Sequence, residues 1–256
     1  MQPWTISLGL LLSHAHGVIA GGPVPERMDG FNFLYGSWGS GDAVPDDEYN
    51  STHASQALAS MKNQTDNNWI ALSYLWYQRN VDTAGPIYRR PDTPDDSSLT
   101  AAVDAAHALG VKVMVRPLVN ADPKLRDPEA PSTWRGMIGR NFTTAQWDAW
   151  FTSYQEMIWG AAELASKADA DSLCVGGELI VASHQEQHWR SIIKGVRARY
   201  TGPIMYAANW GNEDDVRFWD AVDQIGVDAC LLRGMILLTA DHRCVEVLQC
   251  LNADQG

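Results

Sequence analysis

The residues of this sequence that could do chemistry stand where short apolar segments end. Glu178 follows the apolar segment Leu173-Cys174-Val175 and two glycines, Gly176 and Gly177. Further polar and aromatic side chains follow other apolar segments: Trp76, Arg116, Asn120, Asn209, Trp210 and Asp228. Amide and guanidinium groups bind hydroxyls, and an indole packs on the apolar face of a sugar. Together with the Glu178 carboxylate, which could act as a general acid and base, these residues suit a polyhydroxylated substrate with glycosidic bonds.

Each of these residues also has a plain structural interpretation, which the sequence leaves open. Glu178, taken with its own segment alone, is explained equally well as a solvated loop glutamate. Arg116 could pair with an acid and Asn209 could cap a loop. Trp76 could belong to the core, and Asp228 could serve only to orient its neighbours. Elements that bring all of these side chains to one place would favour the functional interpretation.

Six predicted strands alternate with helices or with helix-length connections. The strands are predicted at Gly30–Leu34, Asn68–Tyr77, Val111–Pro117, Asp171–Gly177, Gly202–Trp210 and Gln224–Ala229. The helices are predicted near His53–Lys62, Thr93–Gly110, Thr143–Leu164, Gln185–Tyr200 and Val216–Val222. Strands that are apolar on both faces are typical of a parallel sheet covered on both sides, so the pattern indicates consecutive βαβ units of an α/β fold.

Two α/β architectures fit this pattern, an open doubly wound sheet and a (β/α)8 TIM barrel. The open sheet usually carries a glycine-rich phosphate loop after its first strand, but the segment Gly36–Gly41 supplies neither G-x-G-x-x-G nor a Walker lysine. We therefore favour the barrel, with no cofactor. In a barrel the carboxyl ends of the strands form one rim, called the mouth below, where the active site lies. The candidate residues should meet there.

Composition and charge restrict the classes of partner. The 256 residues carry a formal net charge of −12 and 45% hydrophobic residues, which fits one large globular domain. An acidic chain lacks the basic surface that nucleic acids and anionic membranes attract, so we expect neither as a partner. Eleven tryptophans could fill the core or stack on sugars. A neutral polysaccharide or oligosaccharide is the expected substrate, and the oligomeric state cannot be read from the sequence.

The first 20 residues resemble a secretory signal peptide. Ile6–Leu12 is apolar, and Val18-Ile19-Ala20 offers residues that a signal peptidase reads, although the segment lacks an N-terminal Lys or Arg. The alternative is a buried N-terminal segment. Three N-x-[ST] sequons begin at Asn50, Asn63 and Asn141. We expect a secreted, extracellular glycoprotein.

The histidines and cysteines give no sign of a metal site. His184 and His188 stand four apart, but their spacing does not match H-E-x-x-H and no third ligand is evident, so surface histidines are the favoured interpretation. Cys174 is expected to be a free core thiol. The other cysteines, Cys230, Cys244 and Cys250, lie near the C-terminus, where a disulfide is an option whose pairing the sequence leaves open.

Several segments together resemble glycoside hydrolase family 113, the clan-A β-mannanases. They are Gly30-Phe31-Asn32-Phe33, Val113-Met114-Val115-Arg116-Pro117, Val175-Gly176-Gly177-Glu178-Leu179, Trp189–Ile193 with Val196–Tyr200, Tyr206-Ala207-Ala208-Asn209-Trp210, and Phe218–Asp220 with Ile225–Ala229. The similarity covers roughly residues 29–229. It implies a (β/α)8 barrel, endo-β-1,4-mannan hydrolysis with retention, and Glu178 as the acid/base. It also implies that Asn209 and Trp210 line the substrate cleft.

The resemblance ends after Ala229. Family members continue with a seventh strand that bears the nucleophilic glutamate and with an eighth strand, whereas this chain has 27 further residues with Glu246 as their only glutamate. We therefore expect a signal peptide at 1–20, an incomplete barrel of about six βα units at 21–229, and a divergent tail at 230–256 from a different reading frame or a retained intron. The first and sixth strands would then be exposed edges. The function expected is a retaining, mannan-type hydrolase whose activity the missing nucleophile could abolish; the alternative is a non-catalytic carbohydrate-binding protein.

Overall fold

A single parallel sheet organises the structure, a computed structural model that describes residues 28–34, 49–125, 134–228 and 245–247. Its strands are β1 (Gly30–Leu34), β2 (Trp69–Gln78), β3 (Lys112–Ala121), β4 (Ser172–Gly177), β5 (Ile204–Asn209), β6 (Gln224–Asp228) and β7 (Val245–Val247). Their spatial order is their order in the chain, and every neighbouring pair is parallel. The sheet curls with helices on its outside, so the predicted α/β class with an incomplete TIM barrel is confirmed.

Strand β3 is longer than predicted. It pairs with β2 along its whole length, from Trp69↔Lys112 to Gln78↔Ala121, so Leu118 to Ala121 belong to the strand and not to a polar connection. Pro117 suggested an end because proline cannot donate to a sheet ladder. The pairing of β3 with β4 covers only Met114 and Val115, so Pro117 interrupts no pairing on that side. This extension places Asn120 inside the strand.

The helices are α1 (Thr52–Thr65), α2 (Asp96–Ala108), α3 (Thr144–Lys167), the single turn α4 (Ile180–Ser183) and α5 (Glu186–Arg197). The predicted capping box of α3 is present, because the Thr143 hydroxyl accepts from the Gln146 backbone and the Gln146 side chain accepts from the Thr143 backbone. Gly110 follows α2 with a φ of 70°, as a glycine after a helix end commonly does. The apolar stripe of α3 is buried, so its interpretation as core is confirmed.

The two faces of the sheet bury different sets of side chains. The outer face joins the helices in a large apolar core that contains Trp150, Tyr154 and Trp189. The inner face is lined by a smaller cluster: Trp69, Met114, Cys174, Met205 and Ala207. Cys174 is free and buried, as predicted. Side chains alternate between the faces along a regular strand, and β4 departs from this alternation at a register shift between Cys174 and Gly177.

The end of the chain differs from the sequence prediction in two places. Val216–Val222 is not a helix: it contains one short 3-10 turn at Trp219–Ala221, and a second turn lies just before it at Glu213–Asp215. In the tail, β7 pairs with β6 from Ile225↔Val245 to Val227↔Val247, so the edge of the sixth strand is covered by a seventh. The predicted signal segment at 1–20, the segment Gly36–Gly41 and the C-terminal cysteines lie outside the described residues. Among the described helices, none is both long enough and apolar enough to cross a membrane.

Candidate active site

Glu178 stands directly after β4 in a strained backbone conformation. Its φ of 55° lies in the left-handed region, which costs a residue with a Cβ about 1–2 kcal/mol. The strand pairing fixes this geometry, because the Glu178 N–H donates to the Ala207 carbonyl at 3.0 Å. The side chain is partly exposed, and its Oε2 accepts from the Trp134 indole Nε1 at 3.1 Å. The carboxylate is thus held at the mouth.

The two glycines before Glu178 face opposite sides of the sheet. A Cβ on Gly177 would lie 3.2 Å from Arg116 Nη2 and 3.3 Å from Asp228 Oδ2, on the inner side. A Cβ on Gly176 would lie 2.8 Å from Trp189 Cη2, in the aromatic outer core. The glycine at 177 therefore leaves room for an arginine and an aspartate next to the acid. The glycine at 176 lets the aromatic core approach the strand.

Arg116 and Asp228 form a buried ion pair inside the sheet. Arg116 Nη2 donates to Asp228 Oδ2 at 2.5 Å, and the two side chains are only 5% and 7% exposed. Arg116 Nη1 also donates to Asn32 Oδ1 at 2.9 Å. The pair links β3 to β6 and to β1 across the inner face. Arg116 therefore pairs with an acid, which is the structural interpretation that the sequence left open for it.

Electrostatics tie this pair to Glu178. Burial raises the pKa of Asp228 above its ordinary value of 3.8; the charge of Arg116 opposes this rise and that of Glu178 adds to it. Burial likewise lowers the pKa of the Arg135 guanidinium, and the negative charge of Glu178 opposes this fall. Glu178 therefore interacts electrostatically with an acid, Asp228, and with a guanidinium group, Arg135.

A short segment before α3 contributes two residues that the sequence analysis missed. Trp134 donates to Glu178, and the adjacent Arg135 is 2% exposed and donates through Nε to Asn120 Oδ1 at 2.9 Å. The ring of Trp134 lies against Gly136, where a Cβ would be 2.6 Å from the indole Cη2. Trp134 directly precedes a short 3-10 turn at Arg135–Met137, which is too short for hydrophobic periodicity to give a signal. Only the glycine after Trp-Arg could have suggested a close approach.

Asn209 and Trp210 end β5 beside Asp228. The Asn209 amide donates to the Trp210 carbonyl at 3.1 Å and to Asn212 Oδ1 at 3.2 Å, so it stabilises the loop that follows β5. The Trp210 N–H donates to the Asp228 carbonyl at 3.2 Å, while 51% of the Trp210 surface is exposed. An exposed indole therefore stands at the mouth, next to the strand end that carries the buried acid.

Trp76 is the predicted site residue that the structure does not bring to this group. It lies in β2 opposite Val119, on the outer face, and packs against the helix-covered core. The Arg89 guanidinium covers its ring at 4.8 Å from the centroid. The prediction that Trp76 reaches the cleft is therefore corrected. Neighbouring residues of a strand face opposite sides of the sheet, and Trp76 faces the outer side.

His188 has a structural explanation. Its Nε2 lies 2.9 Å from Asp148 Oδ1, and its ring stacks on Phe151 at a centroid distance of 4.5 Å. Within the part of the chain that the structure describes, no group of three or more His, Cys, Asp or Glu side chains is placed to hold a metal ion. His184 ends the single turn α4.

The chain is similar to a GH113 β-1,4-mannanase with 28% identity and a TM-score of 0.69, over 80% of this chain and 62% of that one. A complex structure of a GH113 β-1,4-mannanase gives 28% identity, a TM-score of 0.68 and the same coverage. The β-mannanase AaManA from Alicyclobacillus acidocaldarius, in complex with ManMIm, gives 28% identity and a TM-score of 0.65, over 78% of this chain and 60% of that one.

This chain therefore spans less than two thirds of the length of these enzymes. The search of curated proteins found no match. The model of Glycoside Hydrolase Family 113 matches residues 37–235, which is most of the sequence and includes Glu178, Arg116 and Asp228. The chain belongs to glycoside hydrolase family 113.

Proposed function

We propose that the chain is a glycoside hydrolase that cleaves β-1,4-linked mannan, with Glu178 as the general acid and base. The observation that carries the proposal is the position of Glu178 at the carboxyl end of β4, where its backbone N–H donates to the Ala207 carbonyl and its carboxylate accepts from the Trp134 indole. The carboxyl ends of the strands are where barrels of this type keep their chemistry. The likeness to β-1,4-mannanases at 28% identity supports mannan as the substrate.

In the proposed retaining mechanism Glu178 acts twice. It first gives a proton to the oxygen of the leaving sugar, and it later takes a proton from the water that hydrolyses the glycosyl-enzyme intermediate. The first step needs a second carboxylate about 5–5.5 Å away as the nucleophile. Asp228 fits this part poorly, because Arg116 holds its Oδ2 and burial favours its neutral form. We assign to Asp228 the role of orienting Arg116.

The substrate contacts proposed for this mouth are polar and aromatic. The exposed indole of Trp210 offers a surface for a sugar ring, because sugar C–H groups pack on an aromatic face. Asn120 and Asn209 offer amides for hydroxyl groups, and both side chains are partly exposed. Arg116 is 5% exposed, so we place it beneath the cleft as a support for the residues that touch sugar.

A second function is carbohydrate binding without turnover. What favours it is the Arg116–Asp228 pair, which leaves the acid beside Glu178 engaged in a buried contact. A chain with the aromatic and amide contacts but without a working nucleophile would still bind oligosaccharide. The two functions differ in turnover alone.

We also propose that the protein is secreted and glycosylated. The signal-like segment at 1–20 and the three sequons support this. The structure adds that Asn50, Asn63 and Asn141 are all exposed, so each could carry a glycan without disturbing the core. Mass spectrometry of the protein from a eukaryotic secretion host, before and after glycosidase treatment, tests the assignment.

A reducing-sugar assay on β-1,4-mannan, with binding to manno-oligosaccharides measured in parallel, separates the two functions. The hydrolase assignment predicts release of reducing sugar by the chain and loss of that release in Glu178→Gln, with oligosaccharide binding retained. Binding without release by a folded chain would favour the second function. A folded chain that neither binds nor cleaves mannan would overturn both.

A further inference from the structure

We propose that Trp134 is a positioning residue for Glu178: its indole N–H holds one carboxyl oxygen, so that the transferable proton is always carried by the other. This inference rests on the proposed role of Glu178 as acid and base. It concerns a residue that touches the reacting carboxyl without itself exchanging a proton.

The chemistry of the contact determines which oxygen carries the proton. The indole nitrogen donates a hydrogen bond and cannot accept one. Oε2 of Glu178 lies 3.1 Å from Trp134 Nε1 and must therefore accept. A protonated Oε2 would direct its hydrogen elsewhere and weaken this bond. The proton that Glu178 gives to the leaving oxygen therefore resides on Oε1.

Because only Oε1 gains and loses the proton, the indole bond can persist through the whole reaction. Glu178 has to be an acid in the first step and a base in the second. A donor that binds the unreactive oxygen fixes the orientation of the carboxyl group in both states. Trp134 therefore contributes orientation and does not compete for the proton.

The indole is itself held in place from beneath. Its ring occupies the space that a Cβ of Gly136 would fill, and the Met137 N–H donates to the Trp134 carbonyl at 3.1 Å. The next residue, Arg135, is 2% exposed and is anchored to Asn120 in β3. The buried Arg135 and the close contact between the indole ring and Gly136 together fix the direction of the Trp134 indole N–H. At the same time Trp134 is 40% exposed, so the contact lies at the solvent boundary where a substrate arrives.

The first test exploits leaving groups. Hydrolysis of mannan needs protonation of the leaving oxygen, whereas a 2,4-dinitrophenyl β-mannobioside has a leaving group that departs without it. Trp134→Phe keeps an aromatic ring and removes the N–H, so we expect kcat/KM on mannan to fall by about 10-fold to 100-fold. The value of kcat/KM for the aryl glycoside reports only the first step, which needs no proton donor, and should stay within about 2-fold. Equal losses on both substrates would contradict the inference, because a merely structural role affects both.

A matched control is Trp159→Phe. Trp159 lies in α3, away from the mouth, and its indole Nε1 donates to the Ile192 carbonyl at 3.3 Å. The same substitution there removes an indole hydrogen bond that does not involve Glu178. We expect no dependence on the leaving group in this variant. A selective loss on mannan here would show that the effect in Trp134→Phe is not specific.

The second test needs no turnover. The chain is labelled with ¹⁵N at the indole nitrogens, and the Trp134 signal is assigned by its absence in Trp134→Phe. We expect this signal to shift in Glu178→Gln, because the substitution replaces a charged acceptor of the indole N–H by a neutral amide. A Trp134 signal that the Glu178 substitution leaves unchanged overturns the inference. If the unmodified chain cleaves neither substrate, the proposed hydrolase function fails, but the indole signal still decides whether Trp134 holds Glu178.

Discussion

Adding one methyl group at Gly176 or at Gly177 should have different effects, because the two positions face opposite sides of β4. In Gly176→Ala the new Cβ would lie 2.8 Å from Trp189 Cη2 and 2.9 Å from Tyr206 Cε2. Both rings are at most 1% exposed and pack against each other at a centroid distance of 5.1 Å, so neither can move away freely. Overpacking of this kind costs about 1–3 kcal/mol, and we expect the upper end.

Gly177→Ala is the milder change for stability and the more harmful one for the site. Its Cβ would lie 3.2–3.3 Å from Arg116 Nη2 and Asp228 Oδ2, so the ion pair has to shift by a few tenths of an ångström. We expect a loss of about 1 kcal/mol or less, together with reduced turnover.

Urea denaturation of both variants, with the slope compared to that of the unmodified chain, measures the two losses. A slip of the strand by one residue would exchange the two faces. A larger stability loss in Gly177→Ala than in Gly176→Ala would therefore refute the register of β4 and the placement of Glu178 that depends on it.

Three other substitutions test the surroundings of the site by urea denaturation. Glu178→Gly should raise the free energy of unfolding by about 0.5–1 kcal/mol, since glycine adopts a positive φ without strain; an equal or lower stability would contradict the strained backbone. Trp150→Phe should lower the free energy of unfolding by about 1–3 kcal/mol, because the buried Gln78 Oε1 loses its indole donor at 2.7 Å. A loss below about 0.5 kcal/mol would exclude this hydrogen bond as a stabilising contact. Because burial raises the pKa of Asp228 above 3.8, the folded chain binds this proton more tightly than the unfolded chain. The contribution of this group is therefore full below about pH 4 and is lost as the pH rises through the raised pKa, so the stability of the unmodified chain relative to Asp228→Asn should increase on acidification from pH 7 to pH 4. A difference that moves the other way would show that Arg116 outweighs burial.

The sequence predicted those features that follow from local patterns. Glu178 could be placed at a strand end because an apolar run, two glycines and a carboxylate occur together, and the α3 capping box could be read from Thr143 and Gln146. The parallel sheet followed from strands that are apolar on both faces. For the same reason Trp76 was misplaced: β2 is buried on both sides, so its composition does not reveal which face each residue takes.

Features that depend on tertiary contacts could not be predicted. Pro117 suggested a strand end, and only the missing pairing with β4 explains why β3 continues. The segment Val216–Val222 has helical periodicity, yet Phe218 is buried between Trp189 and Tyr206 and the chain forms only a short turn. Trp134 reaches Glu178 across 44 positions of sequence, a contact that no spacing rule encodes.

The claim that Glu178 is the acid and base is tested most directly by azide rescue of Glu178→Ala. With a 2,4-dinitrophenyl β-mannobioside the first step needs no proton donor, and azide can then attack the glycosyl-enzyme without a general base. The account predicts that azide accelerates the variant and yields a β-mannobiosyl azide, with retained configuration. An α-configured azide would mean that the nucleophile had been removed instead. A variant that turns over normally without azide would contradict any catalytic role for Glu178.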